Sequence, residues 1–244
     1  MNHSFEGKRA LVTGGGRGIG RSIAIALQEK GANTFIVDKT QEDLILMKEE
    51  FPEINTLCVD LTKWDEVTKA IKDLGHIDLL VNNAGIVIAD RPLEYNEPDM
   101  DKLFAINVKA LVNVTQVVGQ GMIEQGKGGA IVNISSNGSK EFIPNVFVYS
   151  LTKGAIDKAT EMFAVDLGKH HIRVNAVNPT IVKTTDISRP FFELDQTEVV
   201  KSKIPLDEFP EIQDVVDVVL YLLSDKAKFI NGECILIDGG MHCS

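Results

Sequence analysis

Three cysteines in 244 residues, Cys58, Cys234 and Cys243, are too few and too irregularly spaced for a disulfide framework or a metal site. An odd number of thiols reads as reduced, and the opening Met1-Asn2-His3-Ser4-Phe5-Glu6-Gly7-Lys8 has no apolar leader. A cytoplasmic chain is the expectation. Long hydrophobic runs are also missing: the apolar stretches are strand-sized, and none approaches the ~18 residues of a membrane span. There is no basic excess. Acidic residues outnumber basic ones by 35 to 25 and are spread along the chain, giving a net charge of −10, which argues against a nucleic-acid partner. The five histidines fall in no triad or metal spacing: His170-His171 reads as a solvated turn, and His3 and His242 are terminal. Low-complexity linkers, internal repeats and breaks in composition are absent, so 1–244 reads as one domain.

What is present is an alternation. Ala10-Leu11-Val12, 34–37, Leu57-Cys58-Val59, 77–81, 130–134, Val174-Asn175-Ala176-Val177 and 234–237 are strand-like, and helical patterns separate them. Strands alternating with helices predict an α/β fold, a Rossmann-like doubly wound parallel sheet flanked by helices. The stretch 183–210 is the least regular, with three prolines and two adjacent phenylalanines, and reads as a long loop of the kind that covers active sites.

Thr13-Gly14-Gly15-Gly16-Arg17-Gly18-Ile19-Gly20 follows an apolar strand and opens a helical segment. Glycines there allow a tight turn and close backbone approach, and a helix N-terminus offers unpaired N–H groups to a pyrophosphate. The spacing has one residue more in its first turn than the commonest dinucleotide fingerprint. Asp38 lies 18 residues after Gly20, where a carboxylate can bind an adenosine ribose; a helix or turn cap is the alternative. Arg17 and Lys39 could serve a 2′-phosphate or be solvated surface charges. Asp38 favours NAD(H), and Arg17 with Lys39 leaves NADP(H) open.

Tyr149 and Lys153 stand four residues apart, and Ser136 lies thirteen residues before the tyrosine. On a helix, positions i and i+4 share a face. A phenol, whose pKa is near ~10, exchanges protons poorly at neutral pH until a positive charge stabilises its anion. That pairing, beside a dinucleotide loop, points to redox chemistry between carbonyls and alcohols. Taken alone, Ser136 could be strand-end turn chemistry and Asn107 an exposed helix residue.

Thr-Gly-x-x-x-Gly-x-Gly, Asn82-Asn83-Ala84-Gly85, Ser136 and Tyr-x-x-x-Lys occur in this order over the whole chain, and together they resemble the short-chain dehydrogenase/reductase family. Within it the chain is similar to the branch of dicarbonyl and L-xylulose reductases and tetrameric carbonyl reductases. That likeness rests on 78–84, on 172–180 with Thr180 after Pro179, and on Lys203-Ile204-Pro205-Leu206. The resemblance implies a cofactor half of about 1–135 and a catalytic and substrate half of about 136–244. It implies catalytic roles for Asn107, Ser136, Tyr149 and Lys153, with Tyr149 as acid/base, Lys153 lowering its pKa and Ser136 orienting the carbonyl. Asn107 is expected to support a water-mediated proton path to the lysine. Cofactor contacts are expected from Gly14, Arg17, Gly18, Ile19, Gly20, Asp38, Lys39, Asp60, Leu61, Asn83, Ala84, Gly85, Tyr149, Lys153, Pro179, Val182 and Thr184. The substrate wall is expected at Asn137, Ile143, Val146 and Phe191, beside Ser136 and Tyr149. The implied reaction is NAD(P)(H)-dependent reduction of small carbonyls, namely α-dicarbonyls such as diacetyl and L-xylulose-like ketoses. A ketoreductase for steroids or acyl-carrier substrates, and a non-catalytic redox sensor on the same fold, are the alternatives. A homotetramer is expected from the branch and from the apolar helices 105–118 and 154–167, with the C-terminal segment 239–244 joining that assembly.

Overall fold

Seven strands lie in one sheet in the computed structural model, which describes residues 4–183, 185, 188 and 197–243. They are β1 (Arg9–Thr13), β2 (Asn33–Asp38), β3 (Asn55–Cys58), β4 (Leu79–Asn82), β5 (Gly129–Ile134), β6 (Ile172–Pro179) and β7 (Cys234–Ile237). The order is β3-β2-β1-β4-β5-β6-β7, and every neighbouring pair is parallel. Parallel strands need crossovers, and these are supplied by α1 (Gly18–Glu29), α2 (Gln41–Glu50), α3 (Trp64–Asp73), α4 (Glu97–Phe104), α5 (Ala110–Gln125) and α6 (Phe147–Gly168). A short α7 (Thr197–Lys201) and then α8 (Ile212–Leu223) complete the helices of the described residues.

Alternation along each strand sends successive side chains to opposite faces. Ala10 and Val12 of β1 and Ala130 and Val132 of β5 join a core with Ile23, Ala24 and Leu27 of α1 and Val215, Val216 and Val219 of α8. Leu11, Leu80 and Ile131 point the other way, into a core with Val67 of α3, Val114 and Val118 of α5 and Leu167 of α6. The two layers hold the sheet between them, as the doubly wound expectation requires.

Three boundaries differ from the sequence reading. The first helix begins at Gly18, inside the glycine run rather than after it, because glycines contribute no side chains from which periodicity can be read. Edge strand β3 starts two residues earlier than expected, at Asn55, and β6 runs on to Pro179. Between α4 and α5 the chain forms a π-helical turn, Ala105–Lys109, centred on Asn107. Such turns occur mostly as single bulges inside α-helices and often mark functional positions. Of the irregular stretch after β6, Ile204 and Phe209 are buried with Met241 in a small separate cluster, so its far end is pinned to the C-terminal turn.

The strand order reverses between β1 and β4, so the connections leaving these strands diverge to opposite faces. In open α/β sheets that crevice, at the carboxyl ends of the strands, binds ligands. The glycine loop leaves β1 there, and Asn83-Ala84-Gly85 leaves β4 beside it.

Candidate active site

Backbone builds the first half of the site. Asn83 Nδ2 donates to the carbonyls of Thr13 (3.0 Å) and Gly14 (2.9 Å), while Thr13 Oγ1 accepts from the N–H of Asn83 and Ala84. Asn83 is therefore a clamp between two loops. Gly20 passes so close beneath that a Cβ there would lie 2.2 Å from Gly14 O and 2.4 Å from Asn83 Nδ2. No side chain caps α1, whose N-cap is the exposed Arg17, and Gly18 (φ +57°) faces open space. The first N–H groups of that helix are thus left for a ligand.

Asp38, half-buried at the end of β2, accepts from Gly16 N (3.2 Å) through Oδ2 and from Thr40 N (3.2 Å) through Oδ1. Asp38 thus caps the following turn and sets a carboxylate against the glycine loop. Lys39 is exposed. Asp60 accepts from Thr62 N (3.0 Å) and Thr62 Oγ1 (2.8 Å), bonds that hold its carboxyl below the usual range, and Leu61 beside it is buried.

Buried side chains build the second half. Helix α6 starts where Asp90, from the loop after β4, accepts from Val148 N (3.1 Å) and from Phe147 N. On its inner face Tyr149, Lys153 and Asp157 follow one another at four-residue intervals. Lys153 is 4% exposed, and its Nζ donates to Ile134 O (2.8 Å) at the end of β5. It lies 5.4 Å from the centroid of the Tyr149 ring. Burial depresses the lysine to about 8, against the raising influence of Asp157. Tyr149 is half-buried by area, and burial of the phenol pushes it up to about 12 against the lowering influence of the nearby Ser136 hydroxyl. That direction is opposite to the lowering the family resemblance implies. The ammonium is engaged with a strand-end carbonyl, and desolvation dominates at the phenol.

Asn107 is not an exposed helix residue: it is fully buried. Its Oδ1 accepts from Ile86 N (2.9 Å), and its Nδ2 donates to Ile86 O (3.0 Å) and Thr152 Oγ1 (3.0 Å). Thr152 Oγ1 in turn donates to Tyr149 O at 2.6 Å. The side chain thus ties the π-helical turn to both the β4 exit loop and the helix of Tyr149. A Cβ on Gly85 would lie 3.4 Å from Asn107 Oδ1 and 3.8 Å from Lys153 Nζ, which places these residues around one point.

The expected substrate wall is only partly assembled. Asn137, directly after Ser136, is 1% exposed; its Nδ2 reaches Met241 Sδ at 3.6 Å, and its Oδ1 has no partner among the described residues. Ile143 and Val146 are half-buried, and Ile143 packs near Gly138. Pro179 ends β6, and Val182 is buried behind it. Phe191, Phe192 and Thr184 lie outside the described residues. Sequence reasoning missed Asp90, Thr152, Asp157 and Asn178. The helical repeat from Lys153 marked the face that Asp157 shares, but nothing local signalled that this face is buried.

No group of three or more His, Cys, Asp or Glu side chains among the described residues could hold a metal ion. No helix among them is long and apolar enough to cross a membrane. A family model described as enoyl-(acyl carrier protein) reductase matches residues 14–242. The chain is 43% identical over 240 residues to an L-xylulose reductase of Mesocricetus auratus, covering 98% of each. It is 40% identical over 244 residues to the protein named carbonyl reductase (NADPH) 2 of Sus scrofa, covering all of both. A solved gluconate 5-dehydrogenase from Burkholderia cenocepacia, in complex with NADP and tartrate, superposes with a TM-score of 0.94 at 28% identity, covering 100% of this chain and 98% of that one. The chain belongs to the short-chain dehydrogenase/reductase family and is an oxidoreductase.

Proposed function

We propose that this protein reduces small carbonyls, α-dicarbonyls such as diacetyl and L-xylulose-like ketoses, to alcohols with a nicotinamide dinucleotide. The observation that carries this is the convergence of Tyr149, Ser136 and the buried Lys153 at the carboxyl ends of the strands, with the lysine ammonium 5.4 Å from the phenol ring. The relatives named for L-xylulose and carbonyl reduction support the substrate class.

The uncapped start of α1, the side-chain-free approach at Gly20 and the open backbone of Gly18 fit a dinucleotide. Gly14, Arg17, Gly18, Ile19 and Gly20 would hold its pyrophosphate, Asp38 its adenosine ribose, and Asp60 and Leu61 its adenine side. Asn83, Ala84, Gly85, Tyr149, Lys153, Pro179 and Val182 would hold the nicotinamide half. The bound dinucleotide supplies the hydride.

The chain's own residues manage the oxygen. As negative charge develops there, Ser136 donates a hydrogen bond and Tyr149 gives up its proton. A phenol held protonated up to about 12 is present in its donor form at neutral pH, and its proton leaves for the alkoxide only as the anion left behind is stabilised. Lys153, charged below about 8, stabilises the tyrosinate left behind. At the 5.4 Å separation from the ring, a unit charge pair is worth roughly 3 kcal/mol for an effective dielectric of ~20. That is comparable with the cost of raising a phenol by about two pKa units. Asn107 holds the helix of Tyr149 through Thr152, and the unpartnered Oδ1 of Asn137 is an acceptor for a substrate hydroxyl.

Asp38 supports NAD(H): its carboxylate, bonded to Gly16 N at the end of β2, would repel the 2′-phosphate of a ribose held there. NADP(H), which the names of two relatives carry, would need Arg17 and Lys39 to offset that repulsion. Turnover of diacetyl and L-xylulose, each with NADH and NADPH, tests the reading. Faster kcat/KM for bulky steroids than for diacetyl would overturn the substrate class.

We also infer a homotetramer. Along α6 Met162 is 64% and Val165 80% exposed, apolar surface of the kind that subunit contacts cover. A monomeric mass by light scattering at micromolar concentration would contradict it.

A further inference from the structure

Behind Tyr149 and Lys153 lies a buried carboxylate that the reaction outlined above does not use. Asp157 is 7% exposed and sits one helical turn after Lys153 on the same face of α6. Asn178 of β6 donates through Nδ2 to both of its oxygens, at 3.0 Å each, and the same amide reaches Ser136 O at 3.2 Å. Ser139 Oγ lies 2.7 Å from Asp157 Oδ2 and 2.9 Å from Ser136 O. Asn178 Nδ2 also reaches Ser139 Oγ at 2.9 Å, so one shared cluster, in which the single Ser139 proton serves one acceptor at a time, joins this carboxylate to the backbone of Ser136.

We infer that Asp157 is a positioning residue for the proposed reductase site, fixing the Ser136 turn through Asn178 and Ser139 while holding the charge of Lys153. Burying a carboxylate costs stability unless it is paired and hydrogen-bonded. Here Asn178, Ser139 and Lys140 (Nζ to Oδ2, 3.5 Å) supply that satisfaction. Two structural bonds would suffice to explain a clip, but not a negative charge one helical turn from a buried ammonium. The charged and titratable groups around the pair are Tyr149 and Glu161 on α6, Lys140 on the serine loop and Cys234 on β7. Cys234 is pushed up to about 12 by burial and stays neutral. Asp157 thus supplies the favourable field at Lys153, and Lys140 pairs with the same carboxylate from the surface side.

The test reads Lys153 directly. In cofactor-free protein labelled with 13Cε-lysine, its signal is the one that vanishes in Lys153→Met, and it should titrate at about 8. Asp157→Asn should move that titration down by about one pH unit, and with it the basic limb of carbonyl reduction, costing about five- to tenfold in kcat/KM at and above pH 8. Lys140→Met, a partly exposed change that leaves the carboxylate in place, should move both upward. Asp157→Glu, which restores the charge, should return the limb towards wild type. Ser139→Ala keeps the charge, so it should lower kcat several-fold without moving the limb. No shift in folded Asp157→Asn would overturn the electrostatic role. Should that variant not fold, an unmoved titration in Lys140→Met overturns it instead. Undiminished kcat in Ser139→Ala would overturn the link to Ser136. Inactivity of the wild type on every carbonyl would sink the proposed reaction but leave the lysine titration to decide the electrostatic role.

Discussion

The glycine loop and the inner face of α6 stand at the same end of the sheet and are built on opposite principles. At the loop, the working feature is what is missing: Gly20 leaves 2.2 Å where a Cβ would need space, and no side chain covers the start of α1. On α6, the working feature is what is packed in: a phenol, an ammonium and a carboxylate at four-residue intervals, each buried or half-buried. Open backbone N–H groups can receive an anion with little rearrangement. Buried charges cost free energy when unpaired, so that face must be held by partners from β5, β6 and the π-helical turn. In the proposed reaction one region would bind by vacancy, and the other would react through mutual support.

That contrast can be broken most severely at Lys153. Lys153→Met should cost about 10³-fold in kcat, and because the lysine is also assigned the nicotinamide ribose, it should weaken cofactor binding. Unchanged cofactor affinity would confine it to the proton-transfer role. At the loop, Gly20→Ala should lower the melting temperature and weaken cofactor binding by at least ~10-fold, because the added methyl meets backbone that cannot yield. Tight cofactor binding in that variant would show that the close approach is not needed. A pH series separates the regions without mutation. Lys153 is charged below about 8 and loses its proton above it, while Tyr149 stays protonated to about 12. Reduction should therefore hold steady below about pH 8 and fall roughly tenfold per unit above it. A flat profile to pH 10 would contradict the lysine's part. The smallest effect is expected at Asp38. The NADH-to-NADPH ratio of kcat/KM should exceed one and fall about tenfold in Asp38→Ser. A wild-type preference for NADPH would show that Arg17 and Lys39 prevail.

The two regions also differed in how far they could be read from sequence. The loop was legible because its chemistry is local: a strand, a run of glycines and a helix lie within 9–29. The sheet was legible for the same reason, since alternation and apolar runs need no partner to be recognised. The Tyr149–Lys153 pairing survived because helical spacing is also local. What escaped depends on long-range contacts. Asn107 was marked by the family resemblance alone; its own spacing reads as an ordinary helix residue until Ile86 and Thr152 are brought to it, 21 and 45 positions away. Asp157 looks like one more acidic residue on a long helix until β6 delivers Asn178 to it. The direction of the Tyr149 shift also escaped, because desolvation is a property of the packed interior and spacing shows only the nearby charge.

Turnover of Tyr149→Phe, measured beside a cofactor-binding titration of the same protein, tests the central claim most directly. The substitution keeps the ring over which Lys153 lies and removes only the hydroxyl near Ser136. Diacetyl reduction should fall by at least ~100-fold in kcat while cofactor affinity stays at the wild-type level. A kcat near wild type in this variant would remove Tyr149 from the reaction and contradict the account.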